Sequence, residues 1–272
     1  MGCGFSLRKQ MILDCLQKDQ EIKVADLVEL TGVAIATVRR DLLRMEQEKL
    51  IVRTFGGIRA VDQKSLVART FEQRESLQCN EKKRIAEAAA ALVRPGMTIA
   101  IDSGTTCMTF ASALKTKGPL RIITSALAVI EMLGGIPEIE IILVGGRFRV
   151  SNLDFYGTVA IDTFRQFYCD MAFMSCDALL PEHGAFSLDQ ESAAISRTIR
   201  QNAAQLVLLC DNRKIGSTGA FLTFSKKEIN RIVTDQPDER LLRNGYDVIA
   251  MCSRHRVWYR TRRIAIERHP IA

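Results

Sequence analysis

The sequence predicts an α/β protein in two parts: a small unit of three helices and a hairpin, then a larger unit with a parallel sheet between layers of helices. Two observations predict this. Apolar residues recur at helical spacing through roughly the first sixty positions, and from Met97 onward an apolar strand, a polar or glycine-containing loop and a helix alternate several times. A chain of 272 residues with 47% hydrophobic composition is long enough for two cores.

Leu7, Met11, Ile12, Cys15 and Leu16 give residues 6–18 the pattern of an amphipathic helix. Val24, Leu27 and Val28 form the apolar face of a second, short helix, and Thr31-Gly32 supplies a residue that turns the chain with positive φ. The third helix, about 35–48, puts Val38, Leu42 and Met45 on one face and turns Thr37, Arg39, Arg40 and Arg44 in other directions. Leu50-Ile51-Val52 is a short apolar strand, Gly56-Gly57 suits a tight hairpin turn, and Ile58 begins the return. These elements describe a winged helix-turn-helix, whose third helix enters a DNA major groove while the wing lies along the backbone. Two adjacent arginines alone are more often a solvated helix face.

Residues 61–80 are polar and mixed in charge, with Arg69, Glu72, Arg74 and Glu75 around Phe71, the composition of a partly helical connector. Residues 81–92 form an Ala-rich amphipathic helix that stops at Arg94-Pro95-Gly96. Candidate strands follow at Thr98–Ile101, Arg121–Thr124, Glu140–Val144, Met171–Met174, Leu206–Leu209, Arg231–Thr234 and Asp247–Ala250. The expected organisation is a winged helix at 1–60, a linker at 61–80, an α/β unit at 81–250 and a basic tail at 251–272.

The formal net charge of +7 says little about DNA binding, because residues 1–60 carry a net +2, residues 61–250 a net of zero and the tail a net +5. That tail, six arginines with Trp258-Tyr259 among them, reads as a disordered extension or as a contact for phosphates and anionic partners. The 8 cysteines form no C-x-x-C pair and fit a reducing cytoplasm. No apolar stretch approaches the roughly 20 residues that span a bilayer, and no basic-then-apolar leader opens the chain. His183, His255 and His269 have no metal-ligand spacing and G-x-S-x-G is absent, so neither a metal nor a cofactor is expected.

In open parallel sheets, ligands bind beyond the carboxyl ends of the strands. The most informative loop there is Asp102-Ser103-Gly104-Thr105-Thr106: its glycine permits close backbone approach, its hydroxyls donate, and the N–H groups of the following helix favour an anion such as phosphate. Ser and Thr equally cap helices that bind nothing. Thr124-Ser125-Ala126, Gly145-Gly146-Arg147 and Asp211-Asn212-Arg213-Lys214 stand at other strand ends. Lys214 can pair with a sugar phosphate or with Asp211; Glu191, near the start of a helix over about 189–202, can accept sugar hydroxyls or favour the helix dipole.

The stretch T-V-R-R-D-L (Thr37 to Leu42), followed by R-T-F-G-G (Arg53 to Gly57), resembles the DNA-binding signature of the DeoR family of bacterial regulators. E-K-K-R-I-A (Glu81 to Ala86), D-S-G-T-T, L-V-G-G-R-F (Leu143 to Phe148), Phe155-Tyr156-Gly157, D-M-A-F (Asp170 to Phe173), L-L-C-D-N-R-K-I-G (Leu208 to Gly216) and Thr234-Asp235 resemble, in order, the sensor domain of the same family. Ordered motifs from about residue 6 to 250 are a far stronger signal than any one of them. The resemblance implies a sequence-specific transcriptional regulator, most often a repressor of carbohydrate catabolism, whose sensor domain is similar in fold to ribose 5-phosphate isomerase and binds a phosphorylated sugar. A homo-oligomer on double-stranded operator DNA is expected. The implied DNA contacts are Ala34, Ala36, Thr37, Arg39, Arg40, Arg44, Arg53, Gly56 and Gly57; the implied ligand contacts are Asp102, Ser103, Gly104, Thr105, Thr106, Thr124, Ser125, Gly146, Asp177, Glu191 and Lys214.

Several positions depart from the family pattern. Ala34 stands where Ser is usual, Lys49 where Gly is common, Phe55 at the wing histidine, Lys23 at a Ser/Thr cap, and Ser175-Cys176-Asp177-Ala178 where Gly-Ala-Asp-Gly is common. A lost cap costs ~1 kcal/mol, and the change beside the pocket bears on ligand identity. One rival reading is a sugar-phosphate isomerase with an accessory DNA-binding domain: Asp177, Glu191 and Lys214 are chemically capable of moving a proton and stabilising an enediolate. Another is a sensor that has lost DNA recognition and acts through protein partners. The regulator is favoured because its motifs run from end to end, and an isomerase has no need of Arg39-Arg40 on a recognition helix.

Overall fold

The computed structural model describes residues 5–16, 21–47, 50–53, 57–60 and 71–250. The basic tail, Lys49, Phe55, Gly56 and most of the expected linker lie outside the described residues. The chain divides after Arg69 into two compact units.

The first unit runs α1 (Phe5–Leu16), β1 (Glu21–Lys23), α2 (Val24–Thr31), α3 (Ile35–Gln47), β2 (Ile51–Arg53) and β3 (Gly57–Ala60). The apolar faces expected of the three helices meet in one core, in which Ile12, Leu16, Leu27, Val38, Leu42 and Met45 are buried with Ile22, Ile51 and Ile58. Gly32 takes φ 64° and its N–H donates to the Val28 carbonyl at 3.0 Å, closing α2. Strand β1 was not foreseen. It pairs antiparallel with β3, whose other edge takes β2, so the wing is a three-stranded sheet. Only Ile22 of its three residues is buried and apolar, too short a run to show a period of two.

The second unit opens with α4 (Phe71–Glu75), α5 (Cys79–Ala90), β4 (Thr98–Ile101), α6 (Thr105–Ser112), β5 (Leu120–Thr124), α7 (Leu127–Leu133) and β6 (Ile139–Leu143). It continues through β7 (Arg147–Arg149), β8 (Asp154–Tyr156), α8 (Thr158–Phe164), β9 (Cys169–Ser175), β10 (Ala178–Leu180), β11 (Gly184–Ser187) and α9 (Gln190–Gln201). It ends with β12 (Ala203–Leu209), β13 (Phe221–Ser225), β14 (Arg231–Thr234), α10 (Glu239–Arg243) and β15 (Val248–Ala250).

All seven predicted strands belong to one parallel sheet in the order β15-β14-β12-β9-β4-β5-β6. Both faces are covered, and successive residues alternate between two cores. Ala100, Ala172, Met174, Leu206 and Leu208 enter one; Ile99, Ile101, Phe173, Val207 and Leu209 enter the other, with Phe110 of α6 stacked on Phe173 at 4.3 Å between ring centroids. Double-sided burial makes these strands continuous apolar runs, each large side chain contributing ~1.5–3 kcal/mol on burial.

From β4 the chain steps through β5 to β6, then returns on the other side of β4 as β9 and continues outward through β12, β14 and β15. The order therefore reverses between β4 and β9, where the loops leaving the two strands part and open a crevice. Two smaller pieces were not foreseen: the antiparallel hairpin β7–β8 and the antiparallel sheet β10-β11-β13.

Candidate functional site

A cleft opens at this reversal point. The loop after β4 brings Asp102, Ser103 and Gly104 to it, the loop after β9 brings Cys176 and Asp177, the loop after β5 brings Ser125, and α9 brings Ser192 and Ser196. Gly104 stands at φ 101°, a conformation that L side chains rarely adopt, and Ser175 Oγ donates to the Ser103 carbonyl at 3.3 Å. The two loops are thus tied to each other at the switch.

Asp102 accepts from the Ser175 N–H at 3.2 Å. Burial pushes its carboxyl up to about 7; the Ser103 and Ser175 N–H groups pull the other way, and Asp154 and Asp177 add to the rise. An acid whose pKa rises on folding binds its proton more tightly in the folded state. Its contribution to stability is therefore fully present below about pH 4 and is lost as pH climbs through about 7. The urea midpoint of the wild type is accordingly expected to fall more steeply between about pH 5 and 7.5 than that of Asp102→Asn. Parallel pH profiles for the two proteins would count against a raised carboxyl at this position.

The hairpin β7–β8 closes one side of the cleft. It docks through the Phe155 N–H on the Ser125 carbonyl at 2.9 Å and the Leu127 N–H on the Leu153 carbonyl at 2.8 Å. Arg149, on β7, donates from Nε and Nη2 to both oxygens of Asp154 at 2.9 and 2.7 Å, from Nη1 to Asp189 at 2.6 Å and from Nη2 to Ser192 Oγ at 2.9 Å. Asp189 in turn caps α9, accepting from the Ser192 N–H at 2.8 Å. Burial works against the charge on Arg149, yet its bonds to Asp154 and Asp189 hold its pKa above the usual value.

The fourth wall comes from α4, inside the stretch predicted as linker. Arg74 donates through Nη2 to the Ser151 carbonyl at 2.6 Å and to Asn152 Oδ1 at 2.5 Å, and lines the cleft. Its Nε is buried and meets no hydrogen-bond partner among the described residues. Lys82 of α5, itself buried, donates from Nζ to the carbonyls of Arg74 and Glu75, holding the end of α4. Burial, with Lys214 nearby, lowers the Lys82 pKa to about 8.

Of the ligand contacts implied by the sequence, Asp102, Ser103, Gly104, Ser125 and Asp177 line this cleft. The others have different surroundings. Thr124 is buried, with Oγ1 donating to the Ile101 carbonyl at 2.7 Å and accepting from the Ala126 N–H at 3.1 Å. Thr105 and Thr106 are buried in the first turn of α6. Gly146 packs against β8, where an added Cβ would lie 2.6 Å from the Tyr156 carbonyl oxygen. Glu191 pairs with Arg147 at 3.6 Å near the surface. Lys214 Nζ stands 3.5 Å from Asp211 and donates to the Cys176 carbonyl at 2.7 Å. Arg74, Arg149, Asn152 and Asp154 were missed, because nothing local in the sequence distinguishes them from surface charges and turn residues.

In the first unit, the Ala34 carbonyl accepts from the Thr37 and Val38 N–H groups at 2.8 and 3.1 Å, so Ala34 holds the start of α3 with backbone alone. Ala36, Arg39 and Arg40 are exposed on α3, and neither arginine has an ion pair or hydrogen bond among the described residues. Arg44 is turned over the Phe5 ring at 4.2 Å, and Thr37 is half-buried. Arg8 of α1 braces α3 from behind through a two-point ion pair with Asp41 at 2.7 and 3.1 Å. Arg53 lies on β2 and Gly57 begins β3.

A winged helix-turn-helix with an exposed arginine pair on its third helix, joined in one chain to an α/β unit, defines a DNA-binding transcriptional regulator. The chain belongs to the DeoR family: residues 8–64 match the DeoR-like helix-turn-helix domain and residues 77–236 the DeoR C-terminal sensor domain. The HTH-type transcriptional repressor CsqR of Escherichia coli (strain K12) is 31% identical over 84% of this chain and 87% of that protein. The lactose phosphotransferase system repressor of Lactococcus lactis subsp. lactis is 31% identical over 84% of this chain and 90% of that protein. These relatives are repressors by name, not isomerases. Among solved structures, ribose 5-phosphate isomerase A of Methanocaldococcus jannaschii is 19% identical and covers 49% of this chain and 53% of its own, with a TM-score of 0.35, a likeness too slight to bear on function. Among the described residues no helix is long and apolar enough to cross a membrane.

Proposed function

We propose that this regulator is a cytoplasmic repressor of carbohydrate-catabolism genes that grips its operator through α3 and the wing and is governed by a phosphorylated sugar in the cleft. The observation that carries the effector class is Arg74, a cation with a buried, unpartnered Nε that lines the cleft beside carboxylates, serine hydroxyls and Arg149, the latter already paired with Asp154 and Asp189. A phosphate answers the guanidinium, and a polyhydroxyl body answers Asp102, Asp177 and the serines. The active species is a homo-oligomer that holds two α3 helices at half-site spacing. The effector acts by binding the two states unequally, a coupling of about 1–3 kcal/mol being typical.

Calorimetric titration with a panel of sugar phosphates, their parent sugars and inorganic phosphate tests this reading. At least one sugar phosphate is expected to bind and to change operator affinity, its parent sugar to bind at least tenfold more weakly, and Arg74→Ala to lose that difference. Equal binding of parent sugar and phosphate, or no binding across the panel, removes the proposed effector class.

A further inference from the structure

Helix α3 begins with two apolar residues that do not serve the core. Ile35 is 47% exposed and lies outside the buried cluster that α3 builds with α1 and α2. A β-branched residue is also a middling helix former, so neither packing nor propensity accounts for it there. One turn further on stand Arg39, four residues from Ile35, and Arg40, four residues from Ala36, both exposed and unpaired among the described residues. Leu43, 48% exposed, continues the face. The leading turn of α3 is thus an apolar tip immediately followed by two exposed cations.

The N-terminal turn of a recognition helix is the part that meets base edges, and the major groove offers one apolar group there, the C5-methyl of thymine. Isoleucine carries no donor for a phosphate or for a purine edge, whereas an arginine one turn away fits guanine O6 and N7. We infer that Ile35 is a base-reading residue that packs on a thymine methyl in the operator half-site, beside the bases read from Arg39 and Arg40. This rests on α3 being the DNA-reading helix. A protein partner would be a less fitting occupant, because the apolar tip is bordered by two exposed arginines with no ion pair among the described residues, which suit a polyanion.

The test uses the full-length protein and a duplex recovered by selection from genomic fragments, with binding read by fluorescence anisotropy. Each thymine of one half-site is replaced in turn by deoxyuridine, which lacks only the methyl group. Wild-type affinity is expected to fall about fourfold at one thymine, the worth of one buried methyl-sized group. Ile35→Ser is expected to bind the unmodified duplex more weakly and to ignore that replacement, while Ile35→Val retains the response. The Ile35→Ser loss is expected to be the same at low and high salt, unlike the loss of a phosphate-contacting arginine. Selective binding in which no thymine responds, or in which wild type and Ile35→Ser respond equally, overturns the assignment of Ile35 alone. Absence of any selective binding overturns the DNA-reading role of α3 together with it.

Discussion

Replacing Arg39 and Arg40 together by alanine is expected to weaken operator binding ~100-fold or more, with effector affinity unchanged. Both side chains are exposed on α3 and engaged by no other described residue, so their removal leaves no buried partner stranded and does not disturb the core. Each well-placed arginine contact to a base edge is worth about 1–3 kcal/mol, and two of them on one helix make the combined loss large even when their effects overlap. Anisotropy titrations at several salt concentrations separate two contributions. A base-reading arginine relaxes selectivity at one position, whereas a phosphate-binding arginine lowers affinity for all sequences and reduces the salt slope by about one. Full operator affinity in the double variant would mean that another surface of the first unit meets DNA.

Arg149→Leu is expected to destabilise the second unit by ~3–5 kcal/mol, read as a lower urea midpoint. Asp154 is 2% exposed, and Arg149 is its two-point partner. Removing the cation leaves a nearly buried carboxylate without its two-point partner, with only the more distant Arg74 charge to offset it, which is why breaking a buried pair costs more than the pair itself contributes. The same change releases Asp189, but that side chain is 41% exposed and solvent limits the loss there. Arg149→Leu combined with Asp154→Leu is therefore expected to recover much of the stability. A double variant no better than the single one would show that the arginine matters for packing rather than for neutralising Asp154.

The parallel sheet was legible because its strands are buried on both faces, so that Ile99-Ala100-Ile101 and Leu206-Val207-Leu208-Leu209 appear as unbroken apolar runs. The hairpin β7–β8 was not, since Arg147-Phe148-Arg149 and Asp154-Phe155-Tyr156 are three-residue strands, too short to show a period of two, that pair with each other and join the rest of the unit by a single β-bridge from Asp154 to Ala126. The loops after β4 and β9 could be placed at the cleft because the strand pattern locates carboxyl ends. Arg149 could not, because its two carboxylates lie 5 and 40 residues away. Arg74 was hidden for a different reason: its surroundings in sequence are those of a connector, and only the fold brings Ser151 and Asn152 to it.

Helix α4 has five residues, fewer than a chain needs to nucleate a helix in water without outside help. It persists because Phe71 is buried, Lys82 holds its last carbonyls and Arg74 is anchored at Ser151 and Asn152. Its helix–coil balance is consequently set by groups that are not its own. Whatever competes for the Arg74 guanidinium acts at once on the cleft and on the stiffness of the first described helix of the second unit, so protection of the α4 amides from hydrogen exchange becomes a direct gauge of how firmly that helix is held.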